Sequence, residues 1–559
     1  MNDDDLTVAV IQHNPTIGAV SANAERVTAQ YKEAANKNAD VVVTPELALV
    51  GYPPRDLLHH NVVLDAQDEA LDRLKDMTTD ETALVVGHAA ESDESQGPPL
   101  TNSATVFSDG EVAASYNKQL LPTYDIFDEH RYFCQGDTPT TVEIDDVTIG
   151  VTICEDAWYD HRVTGQQRHG YNPIEPYGDV DVLLNLSASP FHVGKPSERE
   201  SRFGRHARTV AAPVVFANQV GGNDDILFDG SSFVTDAAGS VVERGAFGEE
   251  ELITTTLQTD TEPATTIPDK TEQLREMLSL GISDYLDKTG FTDVVIGLSG
   301  GVDSAVTACL ATDALGSEHV HGVTLPSHVT AEKNKYDAQR VAENLGIRFG
   351  EASIERLAAE YTQKLQTLTK EESLHRITKE NIQARARGVI LMGISNQEDA
   401  LVLTPDNKSE GAVGYCTLYG DTVGAIAPLG DCTKRRVYSL AHEFNDNPPA
   451  TVSGSPIPTA VIDKAPTAEL AENQTDEGDI PPYDVIDSVV ARYVGEQQSV
   501  KDIIANTEAT REQTETIIRR LTRSEFKRQQ SPPVLRVTTR AFDSGWRYPI
   551  AASYEELFD

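Results

Sequence analysis

The chain has 559 residues, 39% of them hydrophobic, enough for about two to four packed domains, and no apolar run in it is long enough to span a bilayer. Its 89 acidic residues against 46 Lys and Arg give a formal net charge of −43, which leaves no basic footprint for a nucleic-acid partner. Five cysteines (134, 154, 309, 416 and 432), odd in number and without a CxxC pair, argue against a disulfide framework or a structural zinc site.

The acids are scattered rather than gathered in a tail. A dispersed acidic surface repels itself in dilute buffer and is screened by salt, so the composition points to a salt-rich cytoplasm. The start, MNDDDLTVAV, lacks the basic and apolar regions of a signal peptide, which also leads to an expected cytoplasmic location.

From residue 6 to about 255, strands and helices alternate. LTVAVIQ reads as a strand and ANAERVTAQYKEAANKNA has helical spacing. ADVVVTPE, TALVVGHAA, VTIGVTICED, DVDVLLNLSAS and APVVFANQV read as buried strands. NSATVFSDGEVAASY predicts a hairpin turning at Asp109–Gly110, and SSFVTDAAGSVVERG a second turning at Ala238–Gly239. The polar, Thr- and Pro-rich stretch 255–270 reads as a linker. Beyond it, TEQLREMLSLGISDYLDKTG predicts a helix opening a second α/β unit. That unit continues through HVHGVTLPS and DALVLTPDNKSE and ends in helices. The expected domains are 1–260 and 271–559, joined by a linker at 261–270.

In the first unit, Glu46 follows a strand in VVVTPELALVGYPP, Lys118 lies in YNKQLLPTYDIFDEH, and Cys154 ends a strand in VTICEDAW. A free thiol is only slightly ionised near neutrality. A carboxylate could take its proton as general base, and a lysine could hold a developing oxyanion; the sum is amide hydrolysis. Taken singly, each residue has a plain structural reading. Together the segments resemble the nitrilase (carbon–nitrogen hydrolase) superfamily over roughly residues 5–255. The resemblance implies an α-β-β-α sandwich, with Glu46 as base, Lys118 as oxyanion stabiliser and Cys154 as nucleophile. Its glutamine-using branch implies that Tyr124, Ser189 and Lys195 bind the substrate.

In the second unit the stretch GLSGGVDS follows the apolar run DVVI and leads into a helical segment. Gly300 and Gly301 let backbone N–H groups approach phosphate oxygens at a helix N-terminus. Ser299 and Ser304 can add hydroxyl donors, and Asp303 is a natural Mg²⁺ ligand. No lysine of the common GxxxxGK[ST] loop is present, which suits gripping a departing pyrophosphate.

SGGVDS resembles the signature of ATP pyrophosphatases, whose fold is a parallel-sheet α/β domain of the adenine nucleotide alpha hydrolase type. ENIQARARGVILM, LVLTPDNKSE, GYCTLYGDTVGAIAPLGDCTKRRVY, PTAEL, QTDEGDIPPYDVID and EFKRQQSPPVLRVTTRAF narrow the resemblance to the NAD synthetase family over about 268–550. It implies ATP contacts from Gly297, Leu298, Ser299, Gly300, Gly301, Val302, Asp303, Ser304 and Lys434. It implies deamido-NAD contacts from Asn381, Arg385, Glu410 and Lys527, with Mg²⁺ on Asp303 and Glu410. One departure stands out: Pro405 and Asp406 occupy positions where the family has Thr and Gly, so the ATP contact there is expected to pass to Thr404.

Fused, the two halves resemble the glutamine-dependent branch of that family. The implied substrates are glutamine, ATP and deamido-NAD, and the expected products are NAD⁺, glutamate, AMP and pyrophosphate. An ammonia channel and a homo-oligomer are expected from the resemblance alone. Another glutamine-fed ATP pyrophosphatase, an amidase with a regulatory nucleotide-binding half, and a nonenzymatic scaffold are the alternatives.

Overall fold

The structure is a computed structural model that describes residues 6–92, 97–144, 146–160, 162–163, 166–257, 263–471 and 474–558. The chain divides into two compact units, Met1–Asp269 and Lys270–Asp559. The boundary expected at residue 260 and the first two linker positions lie outside the described residues. Among the described residues no helix is long and apolar enough to cross a membrane.

The first unit contains two sheets packed face to face. One runs in the order Glu251–Thr256, Thr7–Gln12, Val41–Val43, Ala83–Glu91, Leu100–Ser108, Glu111–Asn117; Phe133–Cys134 pairs with Leu100–Ser108. The other runs Val241–Arg244, Phe233–Thr235, Val214–Asn218, Val182–Ser187, Val147–Ile153, Thr140–Ile144. Side chains alternate across a strand, and the packing follows that period. Val8 and Val10 meet Val151, Ile153 and Leu184 between the sheets, whereas Ala9 and Ile11 face outward beneath helices. A strand covered on both faces is largely apolar, as LTVAVIQ and DVLLNLS are, and the polar Asn185 and Ser187 inside the second are fully buried and hydrogen-bonded.

Helices cover both outer faces. In helix Val20–Asn36, the buried Val20, Ala24, Val27, Tyr31 and Ala34 recur at helical spacing and rest on the first sheet. Helix Lys195–Val210 covers the second sheet through Phe203, Ala207 and Val210. The layers are therefore α-β-β-α. Both expected hairpins form: Asp109 and Gly110 carry the positive φ values a two-residue turn needs, and Phe233–Thr235 pairs with Val241–Arg244. The stretch assigned to a linker from 255 starts too early, because the strand Glu251–Thr256 runs through its first two residues. Its threonines pair antiparallel with Thr7–Gln12, and that long-range pairing outweighs their polar, loop-like local composition.

The second unit is built on a parallel sheet in the order Arg348–Glu351, Val320–Thr324, Val294–Gly297, Leu401–Leu403. From Val294–Gly297 the chain winds outward through helices Val302–Leu315 and Glu332–Leu345, then returns to pair Leu401–Leu403 on the other side. The strand order reverses between Val294–Gly297 and Leu401–Leu403, and a crevice opens at the carboxyl ends of strands at such a point. The SGGVDS turn leaves one of these strands and PDNKSE the other. The C-terminal helices Tyr483–Val490, Val500–Asn506 and Arg511–Arg523 pack around their own core of Ile486, Val490, Ile503, Ile517 and Leu521.

One buried histidine in the first sheet sets an acid limit on the fold. His88 Nδ1 lies 3.1 Å from the Ala89 carbonyl, so it must carry the hydrogen, and Nε2, 2.8 Å from Thr105 Oγ1, accepts. The neutral ring is fully satisfied, and burial pushes its pKa down to about 4, against a partial rise from the Ala89 bond. The unfolded chain protonates this group near pH 6.5, before the folded one does. Its stabilisation is therefore whole above pH 6.5 and is lost as pH falls toward 4. The difference in unfolding free energy between the wild type and His88→Gln should shift by about 2–3 kcal/mol in the variant's favour between pH 7 and pH 4.5. Denaturant titrations at constant KCl would measure it, and a pH-independent difference would refute the buried-neutral assignment.

Candidate active sites

Three strand ends bring together the three groups expected in the first unit. Glu46 follows Val41–Val43, Lys118 follows Glu111–Asn117, and Cys154 follows Val147–Ile153 and opens the 3₁₀ turn Cys154–Trp158. Lys118 Nζ donates to Glu46 Oε1 at 2.7 Å and to Glu129 Oε1 at 2.8 Å. Asn102 Nδ2 also donates to Glu46 Oε1 at 2.7 Å, and the Ala188 amide donates to Glu46 Oε2 at 3.0 Å. Glu46 and Lys118 are 0% and 1% exposed, so no bulk water screens the pair. The backbone is strained beside both ends of this arrangement: Leu47 and Cys154 hold φ values of 47° and 40°. Gly87 makes room for the Glu46 loop, since a Cβ there would lie 2.4 Å from the Pro45 carbonyl oxygen.

Burial, the Glu46 carboxylate and two further acids push the Cys154 thiol well above its ordinary range, with Lys118 opposing them. Burial alone would lower the Lys118 ammonium, but Glu129 and Glu46 hold it well above its usual value. Glu129, pushed up to about 7 by burial against the pull of Lys118, also accepts from the Tyr52 hydroxyl at 2.9 Å. Its Oε2 is buried and has no partner among the described residues. The resting site therefore holds a neutral thiol beside a lysine clamped by two carboxylates.

Glu129 and Asp156 escaped the sequence reading, although both lie in the stretches that carried it. Asp156 Oδ1 accepts from the amides of Gln119 and Leu120 at 3.1 and 2.9 Å; Oδ2 accepts from the Ile153 amide at 2.9 Å and the Tyr116 hydroxyl at 2.7 Å. One buried carboxyl thus ties the segment after Lys118 to the residue before Cys154. Two acids directly after a strand-terminal cysteine were the available signal.

Tyr124 and Lys195 reach the same turn. The Tyr124 hydroxyl donates to both oxygens of Glu155, at 2.9 and 3.2 Å, and His169 Nε2 meets Glu155 Oε1 at 2.8 Å. Ser189 follows Ala188, whose amide holds Glu46. Lys195 Nζ lies 3.5 Å from the centre of the Trp158 ring, at the end of the cysteine turn, and burial lowers its pKa to about 8 against the pull of Glu198.

In the second unit, the turn after Val294–Gly297 lines a cavity with Leu325, Arg387, Pro405, Asp406, Glu410, Tyr415, Lys434, Lys464 and Thr467. Gly300 has φ +80°, and a Cβ on it would lie 2.3 Å from the Asn334 carbonyl oxygen; only glycine fits. Lys464 Nζ donates to the Gly300 carbonyl and to Asn334 Oδ1, both at 2.7 Å, latching the 464–470 segment to the turn. The serine hydroxyls, expected as phosphate donors, line the cavity and also brace the turn. Ser304 Oγ donates to the Gly301 carbonyl at 3.1 Å and lies 3.1 Å from Ser299 Oγ, which accepts from the Gly301 amide at 3.2 Å.

Asp303 and Glu410 converge on one ammonium: Lys434 Nζ donates to Asp303 Oδ2 at 2.6 Å and to Glu410 Oε1 at 3.0 Å. Asn407 Nδ2 fixes Asp303 Oδ1 at 2.8 Å, and burial raises Glu410 to about 7 despite Lys434. Two converging carboxylates fit a Mg²⁺ ion, which takes one or two protein carboxylates and completes its shell with phosphate and water. No group of three or more potential metal ligands occurs among the described residues. Lys408, in the same PDNKSE stretch, is spent elsewhere, on Asp431 Oδ1, Thr538 Oγ1 and the Arg540 carbonyl at 2.7–2.8 Å.

The expectation that Thr404 makes up for Pro405 is corrected. Thr404 is fully buried, donates its hydroxyl to the Val423 carbonyl at 2.8 Å, and is not among the residues lining the cavity, whereas Pro405 is. Asp406 lines the cavity too, pushed well above the usual carboxylate range by burial and by Asp421, Glu410 and Asp303.

Asn381, Arg385 and Lys527 lie outside the cavity lining yet meet on one segment. Thr417 Oγ1 donates to Asn381 Oδ1 at 2.9 Å, Arg385 Nε to the Leu418 carbonyl at 3.1 Å, and Lys527 Nζ to the Gly414 and Cys416 carbonyls at 2.7 Å. Tyr415, within that segment, faces the cavity.

Residues 7–265 match the family described as carbon-nitrogen hydrolase, and residues 274–531 the family described as NAD synthase. The chain is 40% identical to the glutamine-dependent NAD(+) synthetase of Synechocystis sp. over 563 residues, which cover 98% of this chain and 99% of that protein. It is 36% identical to the Thermotoga maritima protein of the same name over 594 residues, covering 99% of each. The solved structure of the Acinetobacter baumannii glutamine-dependent NAD+ synthetase, in complex with ADP, is similar with a TM-score of 0.77 at 34% identity, covering 98% of each chain.

A neutral resting thiol has a kinetic signature. Alkylation of Cys154 by iodoacetamide, followed by mass spectrometry of its peptide, should quicken by up to ~10-fold per pH unit from pH 7 to 9 without levelling off. A plateau reached by pH 7 would mean a resting thiolate and would contradict the burial argument.

Proposed function

The chain belongs to the glutamine-dependent NAD(+) synthetases, and from that premise we infer how its side chains divide the work. The enzyme amidates deamido-NAD(+) to NAD(+) using ATP and glutamine, and releases AMP, pyrophosphate and glutamate. In the first unit Glu46 takes the Cys154 proton and the sulfur attacks the carbon of the glutamine side-chain amide. Lys118 faces the oxyanion that develops. The carbon–nitrogen bond breaks, the proton passes to the leaving nitrogen, and ammonia departs from a γ-glutamyl thioester. Water then cleaves the thioester to glutamate. Glu129 Oε2, buried without a partner, is free to accept an N–H of the substrate amide. Tyr124, Ser189 and Lys195 hold the amino-acid end.

In the second unit an oxygen of the deamido-NAD carboxylate attacks the α-phosphorus of ATP, and pyrophosphate leaves into the Gly300–Gly301 turn. Ammonia adds to the activated carbon and AMP departs. Asp303 and Glu410 would hold Mg²⁺, which when bound neutralises phosphate charge. Leu298 and Val302 line the nucleotide cavity beside the turn, while Asn381, Arg385 and Lys527 steady the Gly414–Leu418 segment toward the dinucleotide. Free ammonia is mostly ammonium at neutral pH, so a glutaminase on the same chain supplies the deprotonated nucleophile. A homo-oligomeric state and a salt-rich cytoplasmic setting belong to this proposal; the first rests on the resemblance, the second on the charge of −43. The observation that carries the assignment is the Lys118 ammonium shared between two buried carboxylates beside a thiol.

Assayed in molar KCl, Cys154→Ala should lose glutamine-driven NAD⁺ synthesis by at least ~1,000-fold yet keep synthesis from added ammonium, and Asp303→Asn should lower both by ~100-fold or more. Loss of ammonium-driven synthesis in folded Cys154→Ala protein would contradict this division of labour.

The lowered Lys195 pKa makes a separate prediction. The ammonium is present below about pH 8 and lost above it, so KM for glutamine should rise as pH climbs through that value. Lys195→Arg, which keeps its charge, should lack that rise. Equal rises in both proteins would remove Lys195 from glutamine binding.

A further inference from the structure

Ser189 is held from all sides. Its amide donates to Asn218 Oδ1 at 2.9 Å. Its carbonyl and its hydroxyl oxygen accept from one arginine, with Arg199 Nη2 at 2.8 Å from Ser189 O and Nε at 3.1 Å from Ser189 Oγ. Arg199 is 0% exposed although it lies on helix Lys195–Val210. Its Nη1 donates to Asp229 Oδ2 at 2.8 Å, and Nη2 also reaches the Pro190 carbonyl at 3.3 Å. Asp229, equally buried, ends the strand Ile226–Asp229. A fully buried arginine spread over four oxygens is an expensive feature for a loop that needs only to be closed.

Its chemical consequence lies at the hydroxyl. An arginine Nε can only donate, so Ser189 Oγ must accept from it. Arg199 thereby takes one of the two Oγ lone pairs and places its positive charge beside the hydroxyl; with the amide engaged, the hydroxyl hydrogen is the one donor Ser189 can offer a ligand. We propose that the Arg199–Asp229 pair is a positioning and specificity element of the glutaminase. By donating into Ser189 Oγ and setting a guanidinium beside it, Arg199 turns the hydroxyl hydrogen toward the substrate and biases Ser189 toward an acceptor oxygen over an ammonium.

Lys195, six residues on, brings a second obligatory donor to the same loop. The substrate group that two donors suit is the anionic α-carboxylate of glutamine, not its α-amino group. The amide of Ala188 holds Glu46, so the same anchor also fixes the distance between the recognised carboxylate and the base. This inference rests on the reading of Ser189 as a substrate contact, and the experiment keeps the two apart.

Glutaminase kinetics would be measured for the wild type, Ser189→Ala, Arg199→Lys, Asp229→Asn and the double variant Ser189→Ala/Arg199→Lys. Three amides serve as probes: L-glutamine, glutaramate, which lacks the amino group, and 4-aminobutanamide, which lacks the carboxylate. Lysine cannot reproduce the fork that reaches Ser189 Oγ, Ser189 O and Asp229 together. Arg199→Lys and Asp229→Asn should each raise KM for L-glutamine and for glutaramate by ~10-fold, with a smaller change in kcat. Neither should weaken 4-aminobutanamide further, and the double variant should be no worse than Ser189→Ala alone. Penalties that add in the double variant, or that persist on 4-aminobutanamide, would make Arg199 a structural residue only and overturn the proposal. If Ser189→Ala itself leaves every KM unchanged, the reading of Ser189 as a substrate contact falls first, and the proposal with it. Should Arg199→Lys not fold, Asp229→Asn, of almost the same size and shape, asks the same question.

Discussion

An ammonium group stripped of water between two carboxylates is the interaction on which the first unit turns. Lys118 is buried with Glu46 at 2.7 Å and Glu129 at 2.8 Å. Desolvating three such groups is costly, and their attraction offsets it only if the geometry is kept and the remaining oxygens find donors. Ala188 supplies Glu46 Oε2, Asn102 and Tyr52 add second donors to the oxygens Lys118 already holds, and Glu129 Oε2 is left without a partner among the described residues. The strand ends that carry them must therefore stay in register, and the strained backbone at Leu47 and Cys154 is tolerated because neighbours on every side fix it. Breaking such a cluster by removing one member typically costs about 3–5 kcal/mol. The site and the stability of the sandwich are thus the same set of contacts.

The second unit uses the same device in another place. Lys434 stands between Asp303 and Glu410 as Lys118 stands between its two glutamates. Burial would lower the Lys434 ammonium, but the two acids hold it well above its ordinary value. In the first unit the clamp keeps the Lys118 ammonium charged beside a neutral thiol. In the second it holds together two carboxylates that would otherwise repel each other, in the arrangement a phosphate-bound cation needs. Lys464 and Lys408 are spent differently, on carbonyls and side chains of neighbouring segments, which shows how little residue type says without its partners.

Much of this was legible in the chain itself. Buried strands announced themselves as largely apolar runs because both of their faces are covered. Glu46, Lys118 and Cys154 could be named because their three segments together resemble the nitrilase superfamily, and Glu46 and Cys154 stand at strand ends, where α/β folds gather reactive groups. Partners that act through space were not legible. Nothing local to EHR marks Glu129 as the second carboxylate on Lys118, since the two are joined by folding and not by spacing. Arg199 looks like one more helical arginine until the hairpin ending at Asp229 is laid against it. Thr404 was a natural substitute for a missing hydroxyl on sequence grounds, but the Gly424 turn packs against it and directs its hydrogen to Val423. Thr255 and Thr256 read as linker because polar threonines look like loop until the strand Thr7–Gln12 pairs with them.

That last pairing governs how the protein is born. Thr7–Gln12 leaves the ribosome some 240 residues before its antiparallel neighbour Glu251–Thr256 is made. Between those moments the nascent half-protein carries an open sheet edge that only its own distal strand is shaped to seal, the kind of edge that invites pairing with another chain. Contacts so far apart in the chain form slowly, because a long loop must be closed before they are rewarded. The sheet that carries Glu46 is thus completed late in translation, when the strand Glu251–Thr256 emerges with the synthetase half following directly behind it.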